Sequence, residues 1–263
     1  MAKRNEIKSI VFFMATIMCV ILLILGLTSC EAVEKRENYT EENGWMALIR
    51  DEDSKTAKLI GNKKESIVKG EAVLPSSIKG YQIEYINAPY KGYSFNVSYF
   101  DFIPDKLFVP GVNYRFSREI SFPKANKKII FLGIDTKNYS NGFNLANDFG
   151  THYPYARKAK FYVAGKYIYD FKQKYDAYTT GSFYSANVSY YYNYEDAPNG
   201  GYCWIDDLDE GEKIKTIPQE PEREGYMFGG WFLEEQCLTK FDFDTYTMDE
   251  SGELELFAKW IKK

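Results

Sequence analysis

Short runs of aromatic and β-branched residues, broken every few positions by Gly, Pro or Asn, leave this chain little room for helices. The sharpest example lies near the C-terminus. Val188, Tyr190, Tyr192 and Tyr194 alternate with Ser189, Tyr191 and Asn193, the period-2 pattern of a strand. Ala197-Pro198-Asn199-Gly200-Gly201 follows as a turn, since its glycines accept positive φ. Tyr202 and Trp204 lie on a returning strand that ends at the polar stretch Asp206–Gly211. Ile214 to Pro218 reads as extended, and Leu254 to Trp260 as a last strand with Leu254, Leu256, Ala258 and Trp260 on one face. With 23 Tyr and 19 Phe in the chain, such a small sheet builds its core from large rings. The expected fold class is mainly β.

The N-terminus follows a different rule. Lys3, Arg4 and Lys8 precede an almost wholly apolar stretch from Ile10 to Leu27, after which Leu27-Thr28-Ser29-Cys30 gives way to acidic, polar sequence. A basic start, an apolar stretch and small residues before a cut describe an export signal, here residues 1–29, with a signal helix at its centre. Leu27, Thr28, Ser29 and Cys30 resemble the lipobox of bacterial lipoproteins. The resemblance implies a diacylglyceryl group on the Cys30 thiol and cleavage just before it, leaving the chain exported and lipid-anchored to the outer face of the cell membrane. Two acyl chains hold a protein stably where one holds it only marginally. Two alternatives stay open: an uncleaved membrane anchor, because the apolar stretch is about the minimum spanning length, and cleavage without lipid. Residues 30–43 are expected to be a tether, with Glu31 to Glu42 charged and lacking any apolar pattern.

At the other end the residues become specific. Ile217-Pro218, Pro221 and Arg223-Glu224-Gly225-Tyr226-Met227-Phe228-Gly229-Gly230-Trp231-Phe232 are followed by Leu256-Phe257-Ala258-Lys259-Trp260. This pattern resembles the internalin-type B repeat, also called the Listeria–Bacteroides repeat, with Gly225, Tyr226, Phe228, Gly230, Trp231, Ala258 and Trp260 at its marked positions. The resemblance implies a small β-grasp-like domain over residues 186–263, of a kind used for attachment and spacing at bacterial surfaces, and it imports no enzymatic activity. Gly229-Gly230 reads as a bulge or a close strand approach.

Upstream, residues 44–185 carry looser fragments: Ala72–Ile78 with Gly80–Ile83, Leu107–Pro110, Ile120–Pro123 and Phe161–Val163. Each is a short apolar strand, and three stop at a proline. They resemble degenerate leucine-rich repeats of the bacterial surface type, which implies an irregular β-solenoid-like domain; the spacing of Pro75, Pro110 and Pro123 sets no fixed period, and an unrelated β-rich domain is the alternative. Lys166 to Tyr175 reads as one short helix with Tyr167, Ile168 and Phe171 facing inward. The two regions are expected to be independent domains, with the functional surface in the first.

Charge and residue types then bound the chemistry. The whole chain carries −4, and loss of the signal removes Lys3, Arg4 and Lys8 against only Glu6, so nucleic acid is a poor partner. A single histidine, His152, excludes a multi-histidine metal site, and no nucleophile elbow or phosphate loop occurs. No catalytic residue, metal ligand or cofactor is therefore assigned. The acidic turn Asp206-Asp207-Leu208-Asp209-Glu210-Gly211 lacks the spacing of a calcium loop and reads as a solvated strand end. Cys203 and Cys237 leave open a disulfide or two separate thiols. Tyr191, on the face opposite Tyr190, is a candidate exposed contact. The expected function is a non-enzymatic surface adhesion or interaction protein, held to the membrane through lipid on Cys30 and meeting a host, neighbour-cell or cell-wall partner. The alternative is a module for cell-wall or dietary glycans that uses exposed aromatics.

Overall fold

The structure is a computed structural model that describes residues 39–86, 99–100, 102–111, 115–116, 125–133, 160–175 and 183–263. The signal segment 1–29, Cys30, the tether up to Asn38, the Ile120–Pro123 fragment and His152 lie outside the described residues. Among the described residues, no helix is long and apolar enough to cross a membrane.

The chain winds back and forth between two sheets. Strands β1 (Tyr39–Glu42), β2 (Trp45–Asp51) and β3 (Thr56–Asn62) begin the first, and β4 (Glu71–Val73) opens the second. The chain returns to the first sheet with β5 (Ser77–Ile78), β6 (Tyr81–Ile86) and β7 (Tyr99–Phe100). It crosses to the second with β8 (Lys106–Val109), back with β9 (Arg115–Phe116), and over again with β10 (Lys128–Phe131), β11 (Lys160–Val163) and β12 (Phe183–Ser185). The second sheet is parallel, and its spatial order β12-β11-β10-β8-β4 follows chain order.

Period-2 alternation divides the residues of the parallel sheet between two faces. Leu107, Val109, Ile129, Phe131, Phe161, Val163 and Phe183 point to one side and meet Trp45, Ala47, Ala57, Leu59, Ile78 and Ile83 of the first sheet in a continuous core. Helix α1 (Ile168–Tyr175) closes that core through Phe171, which lies 6.0 Å from Phe131 and 5.6 Å from Phe183 between ring centroids. Tyr167 and Ile168 pack against it from the same segment, so the inward face is the one the sequence marks. Neighbouring rungs come very close: a Cβ on Gly111 would sit 2.4 Å from the Cα of Gly133, which only glycine at that position avoids.

The last sheet is built from β13 (Val188–Tyr191), β14 (Tyr202–Asp206), β15 (Tyr226–Phe232) and β16 (Leu254–Lys262) in the order β14-β13-β16-β15. It is mixed, because β13 runs parallel to β16 while β14 and β15 run antiparallel to their neighbours. Its own core contains Val188, Tyr190, Trp231, Leu254, Leu256 and Ala258. The strand expected to run to Tyr194 stops at Tyr191, because Asn193 adopts a left-handed φ of 55° and turns the chain out of the ladder.

Two sequence expectations change here. The end of the tether is structured: Tyr39–Glu42 form β1, Glu41 pairs with Lys63 at 2.5 Å and Glu42 accepts the Lys79 backbone N–H at 2.8 Å. The boundary at residues 185–186 is not a break between separate bodies. Thr40–Lys263 form one compact unit, and Ala186 is buried with its N–H on the Val163 carbonyl at 2.8 Å. A third core joins Phe108, Ile130 and Tyr162 of the parallel sheet to Tyr202 and Ile205 of β14.

Removing a ring from the shared core should therefore be costly. Phe131→Ala is expected to lose about 3–5 kcal/mol of unfolding free energy, read by chemical denaturation. Tyr169→Ala, at an exposed position of α1, should stay within about 0.5 kcal/mol.

Candidate functional site

The parallel register stacks like residues on adjacent rungs. Glu71, Lys106, Lys128 and Lys160 fall in one row across β4, β8, β10 and β11, with neighbouring strands about 4.8 Å apart. Two positions on, Val73, Phe108, Ile130 and Tyr162 form the apolar row of the same face. The lysine row would repel itself, and burial of the face would make that repulsion worse. Carboxylates supplied by the end of β14 and the turn after it offset both costs.

Lys106 Nζ lies 2.7 Å from Asp206 Oδ1 and 3.2 Å from Glu71 Oε1, with all three side chains almost wholly buried. Lys128 Nζ lies 2.8 Å from Asp207 Oδ2 and 2.9 Å from Asp209 Oδ1, and donates to the Asp207 carbonyl. Thr216 donates from Oγ1 to Glu71 Oε2 at 2.6 Å. Burial pulls Lys106 downward, yet Asp206 and Glu71 outweigh it and hold the ammonium above the ordinary lysine value. Burial pushes the Asp206 carboxyl up to about 7 against the pull of Lys106, since two carboxylates share one ammonium. Asp207 is raised by burial against Lys128, while Asp209, more exposed, is lowered chiefly by its hydrogen bond to Lys128.

The acidic turn is thus an anchor rather than a solvated strand end. Its three aspartates are committed to two lysines, and among the described residues no group of three or more His, Cys, Asp or Glu side chains is placed to hold a metal. Lys106 and Lys128 are residues the sequence reading passes over. Their signal is a lysine in phase with a buried row, Lys106 with Phe108 and Lys128 with Ile130, where period 2 demands an inward side chain.

Beside the ion cluster lies a cleft of about 960 Å³. One wall follows the ends of the parallel strands, through Val73–Ser77, Pro110-Gly111 and Leu132-Gly133. The opposite wall is Lys215–Pro221, with Tyr192, Cys203 and Trp204 between them. Trp204 packs on Phe108 at 4.9 Å between centroids, and Trp45 is only 6% exposed, so the aromatic lining is largely engaged in the fold.

The residues singled out from sequence are distributed as follows. Trp231 and Ala258 are buried, whereas Tyr226, Phe228 and Trp260 are half-buried around them. Gly225 and Gly230 take φ of 77° and 108°, and the β15–β16 register shifts between Phe228 and Trp231, which places Gly229-Gly230 in a bulge. Trp260 Nε1 donates to the Tyr192 carbonyl at 2.5 Å, and Arg223 lies over the rings of Tyr194 and Tyr226. Cys203 and Cys237 are free thiols rather than a disulfide: Cys203 faces Tyr192, and Cys237 receives the Asn193 side-chain amide at 3.5 Å. Tyr191 is not an open contact, because its ring stacks on Phe257 at 5.2 Å and its hydroxyl donates to Glu255.

Comparison with known proteins adds two findings. Residues 187–259 match the family model described as the Listeria-Bacteroides repeat domain. A stretch of 45 residues is 44% identical to a protein of Evansella cellulosilytica named as a Gly-rich membrane protein, covering 17% of this chain. The chain spans only 5% of that relative's length.

Asp206 offers a signed test. Its folded value of about 7 lies above the ordinary 3.8, so the folded chain retains a proton that the unfolded chain has released between those values. The stability this contributes is fully present below about pH 4 and is lost as pH rises towards 7. Across that window the wild type should lose stability relative to Asp206→Asn, read as denaturant midpoints at each pH. Lys106→Met at neutral pH should cost about 3–5 kcal/mol, because Asp206 and Glu71 are left buried without their ammonium.

Proposed function

We propose that this chain is a bacterial surface lipoprotein, held to the outer face of the cell membrane through lipid on Cys30, that acts as a non-enzymatic adhesion or interaction protein. The observation that carries the reading is the Listeria-Bacteroides repeat domain at residues 187–259, a module typical of surface proteins. The membrane designation of the Evansella relative agrees with it.

The finer architecture follows the same reading. The parallel ladder in chain order supports residues 44–185 as a degenerate leucine-rich-repeat-like solenoid, and the family match supports residues 186–263 as a β-grasp-like domain. The outward face of that ladder is covered by the core that Phe108, Ile130 and Tyr162 form with Tyr202 and Ile205. A second reading, a glycan-binding module, draws on the half-buried Tyr192 and Trp204 along the cleft.

Two measurements test this. Cys30→Ala should abolish labelling by a fatty-acid analogue and leave a precursor that keeps residues 1–29; equal labelling of wild type and variant would overturn the anchor. Cells displaying the full chain should adhere to host cells or cell-wall material better than cells lacking it. Equal adherence would remove the interaction role.

A further inference from the structure

We infer that the cleft along β4 holds an extended, basic segment of a partner polypeptide, which adds to the parallel sheet as its next strand. The inference rests on the interaction reading above and gives it a site and a chemical class of partner.

The backbone geometry comes first. The parallel sheet ends at β4, whose ladder partner is β8. Leu74 donates its N–H to the Phe108 carbonyl at 3.0 Å, and alternate residues of a strand address alternate sides. The N–H and carbonyl of Val73 therefore point away from β8 and into the cleft. At Glu71 the same edge is closed, because its backbone exchanges hydrogen bonds of 2.8 and 2.9 Å with Val68. The opening thus has a defined start, and Val73 is the residue a new strand would pair with. Edge strands of this kind are ready templates for an extended peptide.

The side chains then describe the guest. Val68 and Ile217 line the cleft while 64% and 54% exposed, which is unusual for aliphatic groups and suits the alternate side chains of a bound strand. The charge on the lining is acidic. Glu65 and Glu220 are exposed and form no ion pair among the described residues, whereas Lys215 is already held by Glu212 at 3.0 Å. A lysine or arginine on the incoming segment would meet those two carboxylates. A sugar is the poorer fit, since it stacks on open ring faces and those of Trp45 and Trp204 are mostly covered.

The test uses the full-length chain in detergent micelles against immobilised libraries of short random peptides, one with a fixed lysine and a matched one with a fixed glutamate. The lysine library should be enriched. In the best binder, N-methylation at alternate positions should weaken binding about tenfold or more, because main-chain hydrogen bonds are lost. Glu220→Lys and Ile217→Arg, both at exposed positions that leave the core intact, should also weaken binding about tenfold. Leu238→Arg, 79% exposed and outside the cleft, should leave it unchanged. Equal enrichment of both libraries, indifference to N-methylation, or polysaccharide binding lost with the same two variants would overturn the inference. Adherence that persists in displaying cells carrying Glu220→Lys and Ile217→Arg would sink the cleft while leaving the interaction role intact. Peptide capture by a chain that confers no adherence would support the cleft and count against that role.

Discussion

A parallel ladder in register cannot choose what it stacks. Once β8 and β10 pair with Lys106 opposite Lys128, two ammonium groups are brought onto adjacent rungs of a face that must be covered. Everything on that side of the molecule answers this constraint. Glu71 sits at the head of the row, and the β14 end supplies Asp206, Asp207 and Asp209. The apolar row two positions further along supplies the driving force for docking, and the ion pairs set its register. A hydrophobic contact alone would tolerate a shifted seat, whereas two lysines matched to a short run of carboxylates would not.

This arrangement ties the regions on either side of residue 186 into one mechanical unit. The C-terminal sheet has its own core around Trp231 and Leu256, which is why its sequence pattern is self-sufficient enough to match a family by itself. Its second set of contacts, through Tyr202, Ile205 and the acidic turn, belongs to this chain's own ladder. The cleft is a by-product of that docking. Its walls come from both regions, and the Thr216–Glu71 hydrogen bond spans them.

Legibility in the sequence tracked the range of the interaction. Strands near 72–74, 107–109 and 161–163 and the helix from Ile168 could be read because alternation or helical spacing is local. A lysine pair opens the short apolar run of Lys128–Phe131 and masks it as a strand, and the charged and small residues of β1 to β3 mask those in the same way. Tyr192 and Tyr194 kept the alternating pattern after the strand had ended, since pattern does not register the left-handed turn at Asn193. The site was the least legible part. The bond from Lys106 to Asp206 joins residues 100 apart, and nothing in either neighbourhood announces the other.

That separation bears on how the chain is made. During synthesis the ladder strands, Glu71 among them, emerge long before Asp206, Asp207 and Asp209. Until residues 206–209 are available, Lys106 has Glu71 alone to meet it, Lys128 lacks the carboxylates it pairs with, and the apolar row beside them is bare, so the ladder has little reason to consolidate. Contacts this distant in sequence form slowly. Late compensation thus acts as a timer: the Lys128 row settles only after Asp207 and Asp209 have arrived.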